Sequence, residues 1–352
     1  MNKQNKYLVN AVANQLHHHE KTMILKKITR FNQDIASFQF QPVDKSDLAF
    51  FNPGQYVRIY VRNEQICASR DYALSSTPLQ AINEKQYTIT IKRVPNGKVS
   101  NYMLDKATEG EIFGVSSPVG GFYYSKIRDH YQVVGIAGGS GITPFYSIAQ
   151  ALNDGTLDFK LILFYGVNTL SEAVFAKELL AMQSDKFKLV LVLGKETHPD
   201  YESGFVSRKL VDKYIKDNYS LFVCGSNGLY NFIFKEFKDI PLKDRKMEPN
   251  PIAIRTVKEP KVFKIKLHLQ NELFNINANN EETILVAIEK AGIKAPSRCK
   301  SGSCGFCRAQ LVSGNVYLCA DKRRKADQSI NVIHTCCAYP ESDLELIINQ
   351  NI

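Results

Sequence analysis

The chain has 352 residues, 44% of them hydrophobic and 23% charged, with a formal net charge of +10 and eight cysteines. That length suggests two or three domains with sizeable cores, and that balance is the one of an ordinary soluble globular protein. No apolar run approaches the ~18–20 residues needed to span a bilayer, no signal-peptide shape opens the chain, and no stripe of Lys/Arg interleaved with aromatics suits a nucleic acid.

Residues 1–22 read as an N-terminal arm. Lys3 and Lys6 make it basic, residues 7–16 fit a short amphipathic helix, and His17, His18 and His19 would point in different directions on a helix, which argues against a metal site. From Lys21 the pattern turns to short alternating runs over 22–29, 35–40, 55–62, 71–75, 86–93 and 111–116, which read as strands. Six short strands at such spacing suggest a closed β-barrel over residues 23–127. Along it run, in order, Pro53-Gly54-Gln55-Tyr56, Arg70-Asp71-Tyr72-Ala73-Leu74-Ser75-Ser76, Lys92-Arg93-Val94 and Gly97-Lys98-Val99-Ser100-Asn101-Tyr102-Met103. This ordered set resembles the flavin domain of the ferredoxin–NADP reductase superfamily, with its R-x-Y-S/T-x-x-S and G-x-x-S signatures. The resemblance implies that Arg70 supplies a fixed cation to the flavin pyrophosphate. It implies that Tyr72 offers a flat face and a hydroxyl to the isoalloxazine, and that Lys92 and Gly97 complete the site. Val99 and Ser100 open a helix whose free N–H groups suit phosphate. One departure stands out: the superfamily commonly has Ser or Thr where this chain has Ala73, so the backbone N–H of Ala73, or Ser75, takes over the contact to flavin N5. FAD is favoured over FMN, although some relatives with a fused ferredoxin use FMN.

A second pattern begins near residue 128. The apolar strand over 131–137 leads into Gly138-Gly139-Ser140-Gly141-Ile142-Thr143-Pro144 and a helix to about residue 152. Further strands are expected over 159–165, 187–193 and 219–223, with helices near 172–182, 207–216 and 228–237. Continuous apolar strands alternating with amphipathic helices signal a parallel, doubly wound α/β domain over 128–240. A glycine-rich turn between strand and helix lets a pyrophosphate approach the backbone at the helix N-terminus. With Cys224-Gly225-Ser226 at the end of a later strand, the turn resembles the superfamily's G-G-x-G-I-T-P and C-G-P motifs, Ser226 replacing Pro. The resemblance places Gly138, Gly139, Gly141, Ile142, Thr143, Cys224, Gly225 and Ser226 on the nicotinamide nucleotide. It sets Cys224 near the nicotinamide C4, neither nucleophile nor metal ligand, so that Tyr72 and Cys224 flank hydride transfer; the plain alternative for Cys224 is a buried strand-end thiol. NADPH users place a Ser-Arg pair after the strand over 187–193, where this chain has Gly194-Lys195. A lone Lys is a poorer fork for phosphate than Arg, which favours NADH and leaves NADPH open.

Pro241, Pro249, Pro251 and Pro260 suggest an extended linker over 241–261. Beyond it, 262–269 and 273–278 read as a hairpin, 283–291 as a helix closed by Gly292, and 308–312 and 344–348 as strands. This is the α+β pattern of a small β-grasp domain over 262–352. Between helix and strand lies Arg298-Cys299-Lys300-Ser301-Gly302-Ser303-Cys304-Gly305-Phe306-Cys307, whose C-x4-C-x2-C spacing is that of a plant-type [2Fe–2S] cluster. Two irons sharing two sulfides need thiolates on a tightly curled loop, and Gly302 and Gly305 permit the required φ angles. Zinc prefers paired C-x2-C clips, and only one is present. The segment His334-Thr335-Cys336-Cys337-Ala338-Tyr339-Pro340 resembles the plant-type ferredoxin T-C-x-A-Y-P context. That register makes the ligand set Cys299, Cys304, Cys307 and Cys336, with Cys337 the competing neighbour. The remaining cysteines are scattered without a framework spacing, which suits a reducing, cytoplasmic setting.

Flavin barrel, nucleotide domain and ferredoxin, in that order, resemble the phthalate dioxygenase reductase and hybrid-cluster-protein reductase type. The resemblance implies an NAD(P)H oxidoreductase that moves electrons from NAD(P)H through FAD and [2Fe–2S] to a separate acceptor protein. Alternatives are a self-contained reductase of a quinone or flavin, and a ferredoxin-type carrier or sensor, which would not need residues 50–240. Residues 261–352 carry 12 Lys/Arg against 9 Asp/Glu, near +3. Arg298, Lys300 and Arg308 flank the cluster loop, and Lys322-Arg323-Arg324-Lys325 forms a basic run, either a docking face for an acidic acceptor or a solvated loop.

Overall fold

The computed structural model describes residues 20–63, 66–247, 255, 257, 259–293, 295–297, 302, 305–319 and 323–349. Two compact units divide the chain, one built from residues through Val61 and from Ser69 to Glu248, the other mainly from Pro249 onward.

The first unit opens with strands β1 (Lys21–Asn32), β2 (Ile35–Pro42), β3 (Tyr56–Arg62), β4 (Cys67–Ala73), β5 (Tyr87–Lys92) and β6 (Ile112–Val115), ordered β4-β3-β6-β1-β2-β5. The ends of this sheet meet: Leu74 bridges to Ile89 and the Ser75 N–H donates to the Thr88 carbonyl, which closes the barrel. Strand β4 lies earlier than the expected 71–75, and β1 begins inside the expected arm. The helix expected over 7–16 and the three histidines lie outside the described residues. Helix α1 (Pro78–Glu84), not expected from hydrophobic pattern, is written in local chemistry. Thr77 and Gln80 form a reciprocal capping box, with Pro at the first turn. Helix α2 (Lys98–Asp105) follows the N-cap Gly97 and begins one residue ahead of the expected Val99–Ser100 opening.

The nucleotide half holds β7 (Gln132–Gly138), β8 (Lys160–Val167), β9 (Phe187–Leu193), β10 (Glu202–Ser203), β11 (Ser220–Cys224) and β12 (Arg245–Met247), in the parallel order β10-β9-β8-β7-β11-β12. Side-chain alternation along β7 explains its two packed faces. Val133 and Ala137 pack with Phe145 and Ile148 of α3 (Ile142–Asn153) on one side. Val134 and Ile136 pack with Ile233 and Phe237 around α6 (Asn227–Glu236) on the other. Two expected helices are much shorter. Over 172–182 a 3-10 turn (Leu170–Glu172) precedes α4 (Ala176–Ala181), because Phe175 takes φ 65 and interrupts the backbone. Phe175 holds this left-handed geometry while stacked on Tyr146 at 3.9 Å between ring centroids. Over 207–216 only α5 (Arg208–Val211) is helical, capped by Ser207.

The expected linker is not extended throughout. Residues Arg245–Met247 join the nucleotide sheet beside β11. Lys246 there is buried, its ammonium on the Asp129 carboxylate and the Tyr123 carbonyl, with the Phe222 ring 4.6 Å away.

The second unit has β13 (Val262–Leu269), β14 (Glu272–Asn279), β15 (Arg308–Ser313), β16 (Val316–Leu318), β17 (Val332–His334), β18 (Ala338–Pro340) and β19 (Leu344–Ile348). The main sheet runs β14-β13-β19-β15-β17, and β16 pairs with β18. Helix α7 (Ile284–Lys290), capped by Thr283, buries Ile284, Ala287 and Ile288 against Leu267, Leu346 and Ile348. Helix α8 (Lys325–Ser329) occupies the end of the basic run, which is therefore not wholly a loop. No helix among the described residues is long and apolar enough to cross a membrane.

Candidate functional site

Strand β4 sorts its side chains by parity. Asp71 faces the barrel wall and takes a bidentate ion pair from Arg58, at 2.6 and 3.1 Å, with Arg58 only 4% exposed. Arg70 and Tyr72 therefore share the opposite face. Arg70 is steadied by its Nη1 on the Ser69 carbonyl, 2.7 Å away. Burial pushes the Tyr72 hydroxyl well above its ordinary value, against the pull of the Arg70 cation, so it stays a neutral donor. Ser75 is committed elsewhere: its N–H and its hydroxyl both donate to the Thr88 carbonyl, and it accepts from Thr90 at 3.2 Å. Sequence reasoning missed Arg58, since nothing in its local pattern distinguishes it from a surface strand Arg.

At the start of α2, the Ser100 hydroxyl accepts the Val94 N–H at 3.2 Å and turns back toward the Gly97 carbonyl. A Cβ on Gly97 would stand 2.5 Å from that hydroxyl, so the turn admits no side chain there without moving Ser100. Val99 is buried beneath the turn.

The nucleotide turn is a 3-10 helix (Gly139–Gly141) between β7 and α3, with Gly139 at φ 53. Thr143 closes it by donating to the Ser140 carbonyl at 3.0 Å. Because β7 and β11 are neighbours in register, with Ala137 opposite Cys224, the two motif turns meet. A Cβ on Gly141 would lie 2.0 Å from the Cys224 carbonyl oxygen, and Cβ atoms on Gly138 and Gly225 would each crowd Leu229. Ser226, in place of the superfamily's proline, caps α6 by accepting the Leu229 N–H at 3.3 Å. Cys224 is 9% exposed, a thiol at the end of a core strand.

A cleft lies where barrel and nucleotide turn come together. Ile35, Thr90 and Lys92 line it from the barrel, and Gly139, Ser140, Thr143, Tyr165 and Glu172 from the nucleotide side. Lys92 crosses it to Glu172 at 3.3 Å. Glu172 carried no signal in the sequence, because its place depends on the broken helix around Phe175. Behind the cleft, Gln150 and Ser147 of α3 donate to the carbonyls of Ser75 and Ser76, at 2.8 and 2.7 Å. The flavin strand and the nucleotide helix are thus tied directly.

In the second unit, Cys299 and Cys304 lie outside the described residues, as do Arg298, Lys300 and Lys322. Cys307 and Cys336 are buried together with Leu285 and Cys337. Thr335 grips the loop, its N–H and hydroxyl both donating to the Cys307 carbonyl at 2.9 and 3.1 Å. Gly302 and Gly305 both take φ 74, the curl expected of them. The Gly302 N–H points at Cys336 Sγ, 3.3 Å away, whereas the Cys337 thiol donates to the His334 carbonyl. A loop N–H aimed at one thiol and not its neighbour fits a [2Fe–2S] cluster ligated through Cys336. The Cys307 hydrogen bond favours the Cys336 thiolate, but the Cys337 hydrogen bond and burial outweigh it and push the thiol up to about 12. Iron would have to displace that proton, as metals do at thiol sites.

Known proteins share this arrangement. Residues 22–124 match the oxidoreductase FAD-binding domain family, 136–235 the oxidoreductase NAD-binding domain family, and 267–341 the 2Fe-2S iron-sulfur cluster binding domain family. The chain is an NAD(P)H oxidoreductase, with FAD-binding, NAD-binding and 2Fe-2S cluster-binding domains in that order. The reductase uses FAD, NAD(H) and a [2Fe–2S] cluster. It is 25% identical over 350 residues to the glycine betaine monooxygenase reductase subunit of Chromohalobacter salexigens, covering 91% of this chain and 93% of that one. It is 26% identical over 320 residues to the phthalate 4,5-dioxygenase oxygenase reductase subunit of Pseudomonas putida, covering 90% and 93%. Among solved structures, phthalate dioxygenase reductase shares the fold of the reductase, with a TM-score of 0.73, 24% identity, and 94% and 98% of the two chains covered.

Proposed function

We propose that this reductase is the electron-supplying component of a two-protein oxygenase system, its acceptor a separate terminal oxygenase. The observation that carries the reading is the domain order on a chain matched nearly end to end by reductase subunits of such systems. Bound FAD and [2Fe–2S] would supply the chemistry, taking a hydride's electron pair from the nicotinamide and releasing it singly. The chain's own residues bind and orient. Arg70, Lys92, Gly97, Val99 and Ser100 would hold the flavin, Tyr72 would offer it a flat face and a hydroxyl, and the Ala73 backbone would address it, with Ser75 behind as support. Gly138, Gly139, Gly141, Ile142 and Thr143 admit the dinucleotide backbone, while Cys224, Gly225 and Ser226 shape the nicotinamide end. Cys299, Cys304, Cys307 and Cys336 ligate the cluster. NADH is the favoured donor: beside Lys195, Glu196 places a carboxylate that accepts the Leu170 N–H, and a carboxylate there repels a 2′-phosphate.

The acceptor meets the ferredoxin domain through its basic rim. Arg308 is withdrawn from that role by its ion pair with the buried Asp327 of α8, at 3.2 Å, and Arg323 by its bond to the Val332 carbonyl. Arg324 and Lys325 remain exposed, and Phe306 of the cluster loop is 47% exposed. An acidic oxygenase surface with an apolar centre would suit them. The test is NADH-driven reduction of the purified acceptor oxygenase across ionic strength. Transfer should slow as the Debye length shrinks from ~30 Å at 0.01 M to ~8 Å at 0.15 M salt. Arg324→Glu with Lys325→Glu should slow it further, with NADH–ferricyanide turnover unchanged. A salt-independent rate would reject the docking face, and faster turnover with a quinone than with any protein acceptor would reject the two-protein reading.

A further inference from the structure

His334 closes β17 two residues ahead of Cys336 and is only 2% exposed. Its Nδ1 lies 2.8 Å from the Gly302 carbonyl oxygen. A carbonyl only accepts, so Nδ1 carries the proton. The other ring nitrogen, Nε2, is buried with no hydrogen-bond partner among the described residues and faces Asp327 Oδ2 at 3.6 Å. Asp327 is itself 6% exposed and ion-paired with Arg308 at 3.2 Å. Arg308 lays its guanidinium on the loop, since a Cβ on Gly305 would stand 3.1 Å from its Cζ, Nε and Nη2. His334 and Arg308 therefore each meet the cluster loop at one of its left-handed glycines, and Asp327 lies between them, paired to Arg308 and 3.6 Å from the His334 ring.

Burying an imidazole and a carboxylate costs free energy that a leucine at the same place would avoid. Packing alone gives no reason for them. Geometry does, because the residue His334 holds is the one that presents an N–H to Cys336 Sγ at 3.3 Å. Donors on a ligand sulfur stabilise the more negative, reduced cluster, and residues behind the ligands tune a metal centre through such orientation. We infer that His334, backed by Asp327 and Arg308, is a positioning residue that holds the Gly302 N–H on the Cys336 sulfur and thereby raises the reduction potential of the [2Fe–2S] centre. The inference rests on Cys336 being the fourth ligand.

The experiment uses the full chain loaded with FAD and cluster, with midpoints from an EPR-monitored redox titration. His334→Leu should disfavour cluster reduction about tenfold or more, a midpoint about 59 mV or more lower, and should change the EPR g values. NADH–ferricyanide turnover should be unchanged. His334→Asn, whose amide N–H reaches toward the same carbonyl, should recover most of the shift. Asp327→Asn should shift the midpoint in the same direction by less. A fully loaded His334→Leu protein with the wild-type midpoint and spectrum overturns the inference, as does an Asn variant shifted as far as the Leu one. Should His334→Leu fail to retain the cluster, Asp327→Asn decides: a lowered midpoint supports the inference, and an unchanged midpoint and spectrum overturn it. Cluster absorption surviving Cys336→Ser would overturn it through its premise, and that outcome appears without any change at His334.

Discussion

Replacing Gly141 by alanine tests whether the two nucleotide motifs work as one surface. The backbone at Gly141 has φ −64, which any residue can adopt, so space alone decides the outcome. The new Cβ would sit 2.0 Å from the Cys224 carbonyl oxygen and 2.8 Å from the Gly225 nitrogen, where real Cβ contacts essentially never fall under 3.0 Å. The obstructing atoms are backbone, so the turn and the Cys224-Gly225 segment must separate by about 1 Å or more. Forced overpacking of this kind costs about 1–3 kcal/mol in stability. A 1 Å misplacement at a reacting centre costs about 100-fold in rate. Gly139→Ala is the control: its φ of 53 strains an alanine, yet nothing lies within 4 Å of the added carbon. It should cost about 1–2 kcal/mol for the left-handed backbone without displacing Cys224. Flavin reduction by NADH, followed anaerobically by stopped flow, should fall about 100-fold in Gly141→Ala and far less in Gly139→Ala. Equal losses in the two variants, or wild-type flavin reduction in Gly141→Ala, would refute the claim that close approach to Cys224 shapes the nicotinamide site.

Cys336→Ser should abolish the visible [2Fe–2S] absorption while Cys337→Ser keeps most of it, with flavin content untouched in both; the reverse pattern would move the ligand register by one residue. Wild-type kcat/KM should favour NADH over NADPH, and Glu196→Gln should narrow the gap by raising the NADPH value, which a wild-type preference for NADPH would contradict. Burial lowers the Lys246 ammonium to about 8, against the opposing pull of Asp129. The unfolded chain therefore holds more protons at this site between about pH 8 and the ordinary 10.5, and its contribution to stability rises with pH across that window. Urea unfolding at pH 7.5 and 9.5 should show that rise in the wild type and a smaller one in Lys246→Met; equal pH dependence in the two would remove Lys246 as its source.

Local signals carried most of the fold. Strands β5, β9, β13 and β19 follow their alternation or apolar runs within a residue or so, and the glycine turns fall at the strand ends where their spacing put them. Thr77-Pro78-Leu79-Gln80 held the capping-box signature of α1 and was open to the same reading. What escaped was set by partners distant in sequence. Phe175 breaks its helix to stack on Tyr146, and Arg245–Met247 reads as linker until Lys246 is seen paired with Asp129. Neither contact leaves a mark in a window of neighbouring residues. Arg58 and Glu172 were hidden for the same reason, each an ordinary charge until its partner arrives from another strand or turn.

The placement of those long-range contacts follows from the chemistry they support. A hydride passes only between atoms held in near contact, roughly 3–3.5 Å apart, so flavin strand and nucleotide turn need fixed relative positions. Two separate motifs on flexible neighbours would not provide that. Here the ties run between the motif-bearing segments themselves: Gln150 and Ser147, on the helix that follows the glycine turn, bond the carbonyls of Ser75 and Ser76, directly after the Arg70–Tyr72 strand. Lys92 and Glu172 add a third tie at the cleft mouth, but both are about one-third exposed, and such a pair contributes at most about 1 kcal/mol. The hydrogen bonds from α3, the Ser147 one fully buried, are therefore the stronger constraint on how the two motif-bearing segments sit.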